Sequence, residues 1–381
     1  MLPLPTGFTV AGIQAGLKRS GKPDLGAIYS AEPLAWALTG TTNVVRAISV
    51  DRNRELYATD ENIRAVIVNS GNANCATGAE GEANNLRMAE AFASQLGIDA
   101  NEVLTASTGV IGQQIPIDKI VAATPTLATT SGTAEEFAKA ILTTDLTIKT
   151  ATKTLSTGAT ITGVTKGSGM IHPNMATMLA FVLTDADLAQ ADLRNIWHGV
   201  VDQSFNQLTV DGDESTNDLA LLLSSQKRNV NRAEFIAALT EIAQDLAKQI
   251  ARDGEGATKL ITVNVTGAKT PEQARAAART IAGSSLVKTA MHGADPNWGR
   301  ILAAAGRSGA QFAQQRALVT VQGVQIYNGQ PLPFDAAELS AKLREPEVLL
   351  AVDLQNGEAA GTAWGCDLSS DYVRINADYT T

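Results

Sequence analysis

Aromatic side chains are scarce in this 381-residue chain, at 4%, although 44% of its residues are hydrophobic. A core without many large rings is filled by small aliphatic side chains in close packing, which suits a compact α/β protein. No cluster of basic residues occurs, and 30 Lys and Arg against 39 Asp and Glu leave a net charge of −9. Nucleic acid and anionic membranes are poor partners for such a surface. No apolar run approaches the roughly 20 residues a membrane helix requires. The start, Met-Leu-Pro-Leu-Pro-Thr-Gly, lacks the charged beginning and long apolar core of a signal peptide. The expectation is a cytoplasmic protein. Its two cysteines, Cys75 and Cys366, lie far apart in sequence and read as reduced structural thiols. The three histidines, His172, His198 and His292, are too scattered to suggest a metal site, and none is expected.

Length and hydrophobic content allow a large core and two or three domains. Short β-like runs alternate with helical ones, with no internal repeat. Arg64-Ala-Val-Ile-Val68 reads as a buried strand ending in a polar turn, Asn69-Ser-Gly-Asn-Ala-Asn74. A helical pattern covers Glu80 to about Leu96. Phe235, Leu239, Ile242, Leu246 and Ile250 mark one apolar helix face, which stops at Arg252-Asp-Gly-Glu-Gly256. An alternating strand follows at Leu260–Val265, then Thr270-Pro and an Ala/Arg-rich helix. A strand near Ala317–Val324, a turn at Asn328-Gly and a charged helix around Ala336–Arg344 come next. Val348–Leu354 reads as the last strand before a Gly-rich tail. The reading is a large α/β body with a smaller α/β unit within about 265–365.

Ala176-Thr177 carries the sharpest chemical signal. It sits in Lys166-Gly-Ser-Gly-Met-Ile-His-Pro-Asn-Met-Ala-Thr-Met-Leu179, where a glycine-rich turn and a proline precede an apolar strand. The Thr177 hydroxyl could attack the carbonyl of Ala176, cut the chain and leave a free α-amine beside the hydroxyl as its base. Ala-Thr pairs are common, so the residues alone leave this open. The Gly167–Gly169 element is too short for a phosphate-binding loop. Thr105-Ala-Ser-Thr-Gly-Val-Ile-Gly112 reads as a polar turn able to aim a hydroxyl and a backbone N–H in one direction, as a tetrahedral oxyanion requires. On these residues alone an ordinary loop is the favoured reading. The oxygen-rich 204–218 segment fails as a calcium loop, because the positions needing Gly and Glu hold Thr216 and Leu222. Glu255, between two glycines, suits recognition of an amine or a plain surface turn.

Together these segments, with Ala11–Leu17, Lys18–Leu25, Thr143-Thr-Asp145, Asp295-Pro-Asn-Trp-Gly-Arg300, Gly365–Leu368 and the C-terminal Asn376–Thr381, resemble the ornithine acetyltransferase (glutamate N-acetyltransferase) family of arginine biosynthesis. The resemblance spans nearly the whole chain. It implies a layered α/β sandwich of the self-processing aminopeptidase/ornithine acetyltransferase type, with a smaller C-terminal α/β subdomain. It also implies autoproteolysis into an α chain of 1–176 and a β chain of 177–381, assembled as a dimer of αβ units, a heterotetramer. Thr177 would be the nucleophile, with Thr108 and Gly109 as the oxyanion pair. Thr143, Lys166, Thr177, Glu255, Asn376 and Thr381 fall at substrate-contacting positions, so the C-terminal tail is expected in the active site rather than frayed.

The implied reaction is ping-pong transfer of an acetyl group from N-acetylornithine to glutamate through acetyl-Thr177. It needs no cofactor or metal, and acetyl-CoA stands as an optional second donor. The competing reading is an N-terminal-nucleophile aminopeptidase or amidase, which passes the acyl group to water. Two departures from the family pattern occur, at Leu38-Thr-Gly-Thr-Thr-Asn43 and at His172, neither at a mapped site position.

Overall fold

The computed structural model describes residues 2–172 and 178–378. Ala176, Thr177 and Thr381 lie outside the described residues.

Eight strands form the larger sheet. Its path is β4 (Val103–Val110), β3 (Ile63–Asn72), β2 (Leu25–Gly40), β8 (Leu219–Arg228), β7 (Leu179–Ala186), β6 (Thr160–Lys166) and β5 (Lys149–Thr154), with β1 (Thr9–Ile13) paired to β2. β2 joins the two halves. Leu25–Tyr29 pairs with β1 and β3, the register shifts before Leu34, and Ala35–Gly40 pairs with β8. The β3/β4 and β7/β8 pairs are parallel. Each therefore needs a helical crossover, supplied by α2 (Gly78–Leu96) and α5 (Gln190–Asp202).

Strand alternation sorts side chains into separate cores, because successive residues face opposite sides of a sheet. Val66 and Val68 of β3 share a central core with Leu179, Phe181 and Leu183 of β7 and with Leu219, Leu221 and Leu223 of β8. Phe137 of α4 (Ala134–Ile141) completes it, edge-on to Phe181 at 5.3 Å. The intervening Ala65 and Ile67 pack on α2 and α3 (Ile117–Thr129). Ala180, Val182, Ala220 and Leu222 pack on α5 and α6 (Arg232–Arg252). The result is a layered α/β sandwich, as the sequence led us to expect. Helix α1 (Ile48–Ala58) borders β4.

A second, five-stranded sheet runs β11 (Val324–Asn328), β10 (Leu318–Val321), β12 (Glu347–Asp353), β9 (Leu260–Ala268) and β13 (Ala359–Cys366). Its core takes side chains from α7 (Pro271–Ala282), α8 (Ser285–His292), α9 (Trp298–Gly306) and α10 (Ala336–Lys342). Helix α7 starts as its sequence suggests: the Thr270 hydroxyl accepts from the N–H of Gln273 at 3.3 Å, and Pro271 fills the first turn. Helix α11 (Ser370–Asp378) ends the described chain.

Three local readings differ from the structure. The Thr105–Gly109 stretch lies in strand β4 rather than in a turn, because it pairs in register with β3. β3 itself continues through Asn72, past the expected turn at Asn69. The tail after Leu354 holds one more strand, β13, which its glycines disguised and which pairing with β9 creates. Both cysteines are buried and unpaired. Among the described residues, no helix is long and apolar enough to cross a membrane.

Candidate active site

An open cleft of about 620 Å³ lies where the ends of β4 and β6 meet the turn after α6 and helix α11. Its lining includes Thr108, Gly109, Thr143, Lys166, Glu255 and Asn376. Sequence positions more than 250 apart thus meet in one place.

At the end of β4 the backbone passes unusually close to β3. A Cβ on Gly109 would fall 2.4 Å from the carbonyl carbon of Gly71, and the residue has φ +134°. Only glycine fits there. Side-chain amides hold this end rigid. Asn69 accepts from the Ser107 hydroxyl at 2.6 Å and donates to the carbonyl of Asn72 at 2.9 Å. Asn217 donates to the carbonyls of Ala73 at 2.7 Å and Ser107 at 2.8 Å.

Lys166 closes β6 and is 2% exposed. Its ammonium donates to the Thr108 hydroxyl oxygen at 3.3 Å and stands 4.0 Å from the Asp145 carboxylate. Because Thr108 accepts from Lys166, its own hydrogen stays available to a second acceptor. Burial lowers the Lys166 pKa, partly offset by Asp145. Asp145 is the hub of this corner. It accepts from the Lys149 ammonium at 2.7 Å, the N–H of Gly167 at 2.7 Å and the N–H of Thr143 at 3.0 Å. Burial alone would raise its pKa, but Lys166, Lys149 and these hydrogen bonds outweigh that and hold the carboxyl well below the usual range.

Across the cleft, Glu255 accepts from the side-chain amide of Asn376 at 2.9 Å. The C-terminal helix therefore does return to the site. The Glu255 carboxylate lies so close to Gly169 that a Cβ there would sit 2.4 Å from one oxygen. Glycine at 169 lets the segment after β6 and the acidic turn touch, and Ser168 ties them together by donating to the Asp253 carbonyl at 2.7 Å. Asp211 then accepts from the N–H groups of Met170 at 2.6 Å and Ile171 at 2.8 Å. Met170 takes φ +56°, a left-handed conformation costly for a side-chain-bearing residue. The segment leading to Ala176-Thr177 is thus clamped by two acidic turns.

Thr108, Gly109, Thr143, Lys166, Glu255 and Asn376 come together, while Ala176, Thr177 and Thr381 are not described. Asp145, Asp211, Ser215, Thr216 and Asn217 escaped sequence reasoning as individual site residues, although all five stood in segments singled out there. Their roles depend on long-range partners, and no local pattern announces those. The departure at Leu38–Asn43 proves well anchored, since the Thr41 hydroxyl donates to the Ser215 carbonyl at 2.6 Å.

A buried cation, Lys166, and a carboxylate, Glu255, thus line one cleft in a layered α/β sandwich, an arrangement able to meet opposite charges on one small molecule. The chain belongs to the ArgJ family, whose model matches residues 9–381. It is 54% identical to the arginine biosynthesis bifunctional protein ArgJ of Thermus thermophilus over 379 residues, covering 99% of each. The protein of the same name from Deinococcus radiodurans is 52% identical, covering 99% of this chain and 97% of that one. A solved chain of ArgJ from Bacillus halodurans superposes with a TM-score of 0.51 at 44% identity, spanning 52% of this chain and 98% of its own length.

Proposed function

We propose that this chain is an acyltransferase of arginine biosynthesis that moves an acetyl group from N2-acetyl-L-ornithine to L-glutamate. It does so after cutting itself between Ala176 and Thr177. Family membership supports the reaction, and the cleft supplies groups that suit it. Thr177 attacks the acetyl carbonyl, and its α-amine takes the hydroxyl proton; an α-amine with an ordinary pKa of about 7.7–8.0 suits that exchange. The Thr108 hydroxyl and the Gly109 N–H stabilise the oxyanion. Lys166, with Thr143, receives a substrate carboxylate, while Glu255, with Asn376, receives an amine. Ornithine leaves, and the amine of glutamate takes the acetyl group from the Thr177 ester. Amide bond energy is conserved between the two amines, so the transfer requires no energy input.

Self-cleavage gains support from the Bacillus halodurans comparison, where a solved chain covered almost completely corresponds to only about half of this one. The two pieces, 1–176 and 177–381, stay together as an αβ unit, and two such units pair. The relatives are named as bifunctional. Accordingly, acetyl-CoA serves as a second acetyl donor to glutamate in our reading.

The single observation that carries the proposal is the joining of Thr108 to buried Lys166 on one wall of the cleft and of Glu255 to Asn376 on the other. The test is consumption of acetylornithine with and without glutamate. Consumption that depends on glutamate and yields N-acetylglutamate is expected. Equal consumption without glutamate, with acetate as product, identifies an amidase instead.

A further inference from the structure

Helices α1 and α2 start in contact. A Cβ on Gly81 of α2 would fall 2.7 Å from the Cδ1 of Ile48, so glycine there lets the two first turns close on each other. Beside this contact a groove of about 660 Å³ runs between the helices, lined by Ile48, Asp51, Arg52 and Glu55 of α1 and by Glu82 and Asn85 of α2. None of these residues lines the cleft that holds Lys166 and Glu255.

The polar groups of this groove are unevenly satisfied. Arg52 donates to the carbonyls of Val103 and Ala100 at 2.7 Å each, and Asp51 accepts from Arg46 at 2.6 Å. Glu55 and Glu82 are exposed, and neither carboxylate takes a hydrogen bond or an ion pair among the described residues. Asn85 is different. It is 1% exposed, and both its amide oxygen and its amide nitrogen are shielded from water with no partner. Among the described residues no other side-chain amide has both ends unpaired. Such an amide offers two donors and an acceptor, and leaving them unmatched in an interior is costly and rare.

The chemistry of the walls selects a guest. Among the described residues no three carboxylates converge to hold a metal ion. Carboxylates spaced along a groove match several N–H donors on one organic cation instead, through charge-assisted hydrogen bonds. The unpaired Asn85 amide asks for a donor and an acceptor on the same molecule. Glu55 and Glu82 are long, flexible side chains, so a guest that draws their carboxylates to itself also opens the way to the amide.

We propose that the groove between α1 and α2 binds a small organic cation, an alkylammonium or alkylguanidinium that also carries an acceptor oxygen. Its N–H groups donate to Glu55, Glu82 and the Asn85 amide oxygen, and its oxygen accepts from the Asn85 amide nitrogen. The site stands apart from the cleft and does not depend on the reading of Thr177. It is nevertheless connected to the strand that ends there. Asn53 of α1 donates to the carbonyl of Thr105 at 2.8 Å and accepts from its N–H at 3.1 Å, on the same strand as Thr108 and Gly109.

The test is calorimetric titration of the full-length protein with ethanolamine and with 2-guanidinoethanol. All titrations use a Glu255→Gln background, so that the carboxylate of the cleft does not take the amine. Saturable binding in the millimolar range or tighter is expected, and the stronger of the two probes tells which cation the groove favours. Choline has the same charge and hydroxyl but no N–H, and it should bind at least about tenfold more weakly than ethanolamine. Adding Glu82→Gln should weaken both probes at least about tenfold, the loss of one hydrogen bond to a charged group. Asn85→Leu keeps the volume, removes the amide and should weaken them similarly. Because Glu82 is exposed, its replacement leaves the fold intact and decides the matter should Asn85→Leu fail to fold. No saturable binding of either probe, binding unchanged by Glu82→Gln, or choline binding as tightly as ethanolamine overturns the proposal.

Discussion

Replacing Thr108 by Val keeps the shape of a side chain that is 2% exposed and removes only its hydroxyl. Two consequences follow. The proposed oxyanion hole loses one donor, a loss that typically costs about 10²–10³ in rate. The Lys166 ammonium also loses its 3.3 Å acceptor, leaving the Asp145 carboxylate at 4.0 Å as its nearest partner. A hydrogen bond to a charged group contributes about 1.5–3 kcal/mol, so this second loss appears as reduced stability. The assay is single-turnover acetylation of the mature enzyme, followed by intact mass, together with steady-state kcat and KM. We expect kcat to fall about 100- to 1,000-fold with KM changed less than about threefold, the pattern of an interaction made mainly in the transition state. The proposed self-cleavage would pass through a similar oxyanion and should slow in parallel. Thr108→Ser should recover most of both rates. A Val variant turning over within about threefold of the parent refutes the reasoning.

Gly169→Ala forces a Cβ against the Glu255 carboxylate. That group is the end of a flexible side chain, so it swings away and loses Asn376; the fold survives, and KM for acetylornithine should rise about tenfold, one hydrogen bond to a charged group, in steady-state kinetics. Asp145→Asn leaves Lys166 without its carboxylate and Lys149 with Asp253 alone, and breaking a buried pair of this kind costs about 3–5 kcal/mol. The Asp145 pKa is depressed in the folded protein, so its contribution is complete above the unfolded value of about 3.9 and fades as pH falls below it. Thermal melts should therefore show a large gap between parent and variant at pH 7 that narrows below about pH 4. A gap that widens in acid contradicts this sign.

Much of the fold was legible because its elements carry strong periodicity. Helix α6 follows directly from the spacing of Phe235, Leu239, Ile242, Leu246 and Ile250, all of them buried. α7 announces itself through Thr270-Pro, and β9 through its alternation. β13 was invisible because Ala359-Ala-Gly-Thr-Ala-Trp-Gly-Cys366 has weak intrinsic strand preference and depends on pairing with β9. The long strand β2 was missed for a related reason, since its shift between Tyr29 and Leu34 serves two sheet halves at once. At the site, resemblance pointed to Thr108, Lys166, Glu255 and Asn376, and the structure gathers them at one cleft. What no sequence pattern could reveal is the electrostatic support. Asp145 organises Thr143, Lys149 and Gly167 through contacts with residues on separate elements.

The most direct test of the account is the mass of the freshly purified, denatured protein. Two species are expected, summing to the 39.8 kDa chain plus one water, with masses that place the break between Ala176 and Thr177. A single 39.8 kDa chain that persists for days would contradict the self-processing on which every proposed role of Thr177 depends.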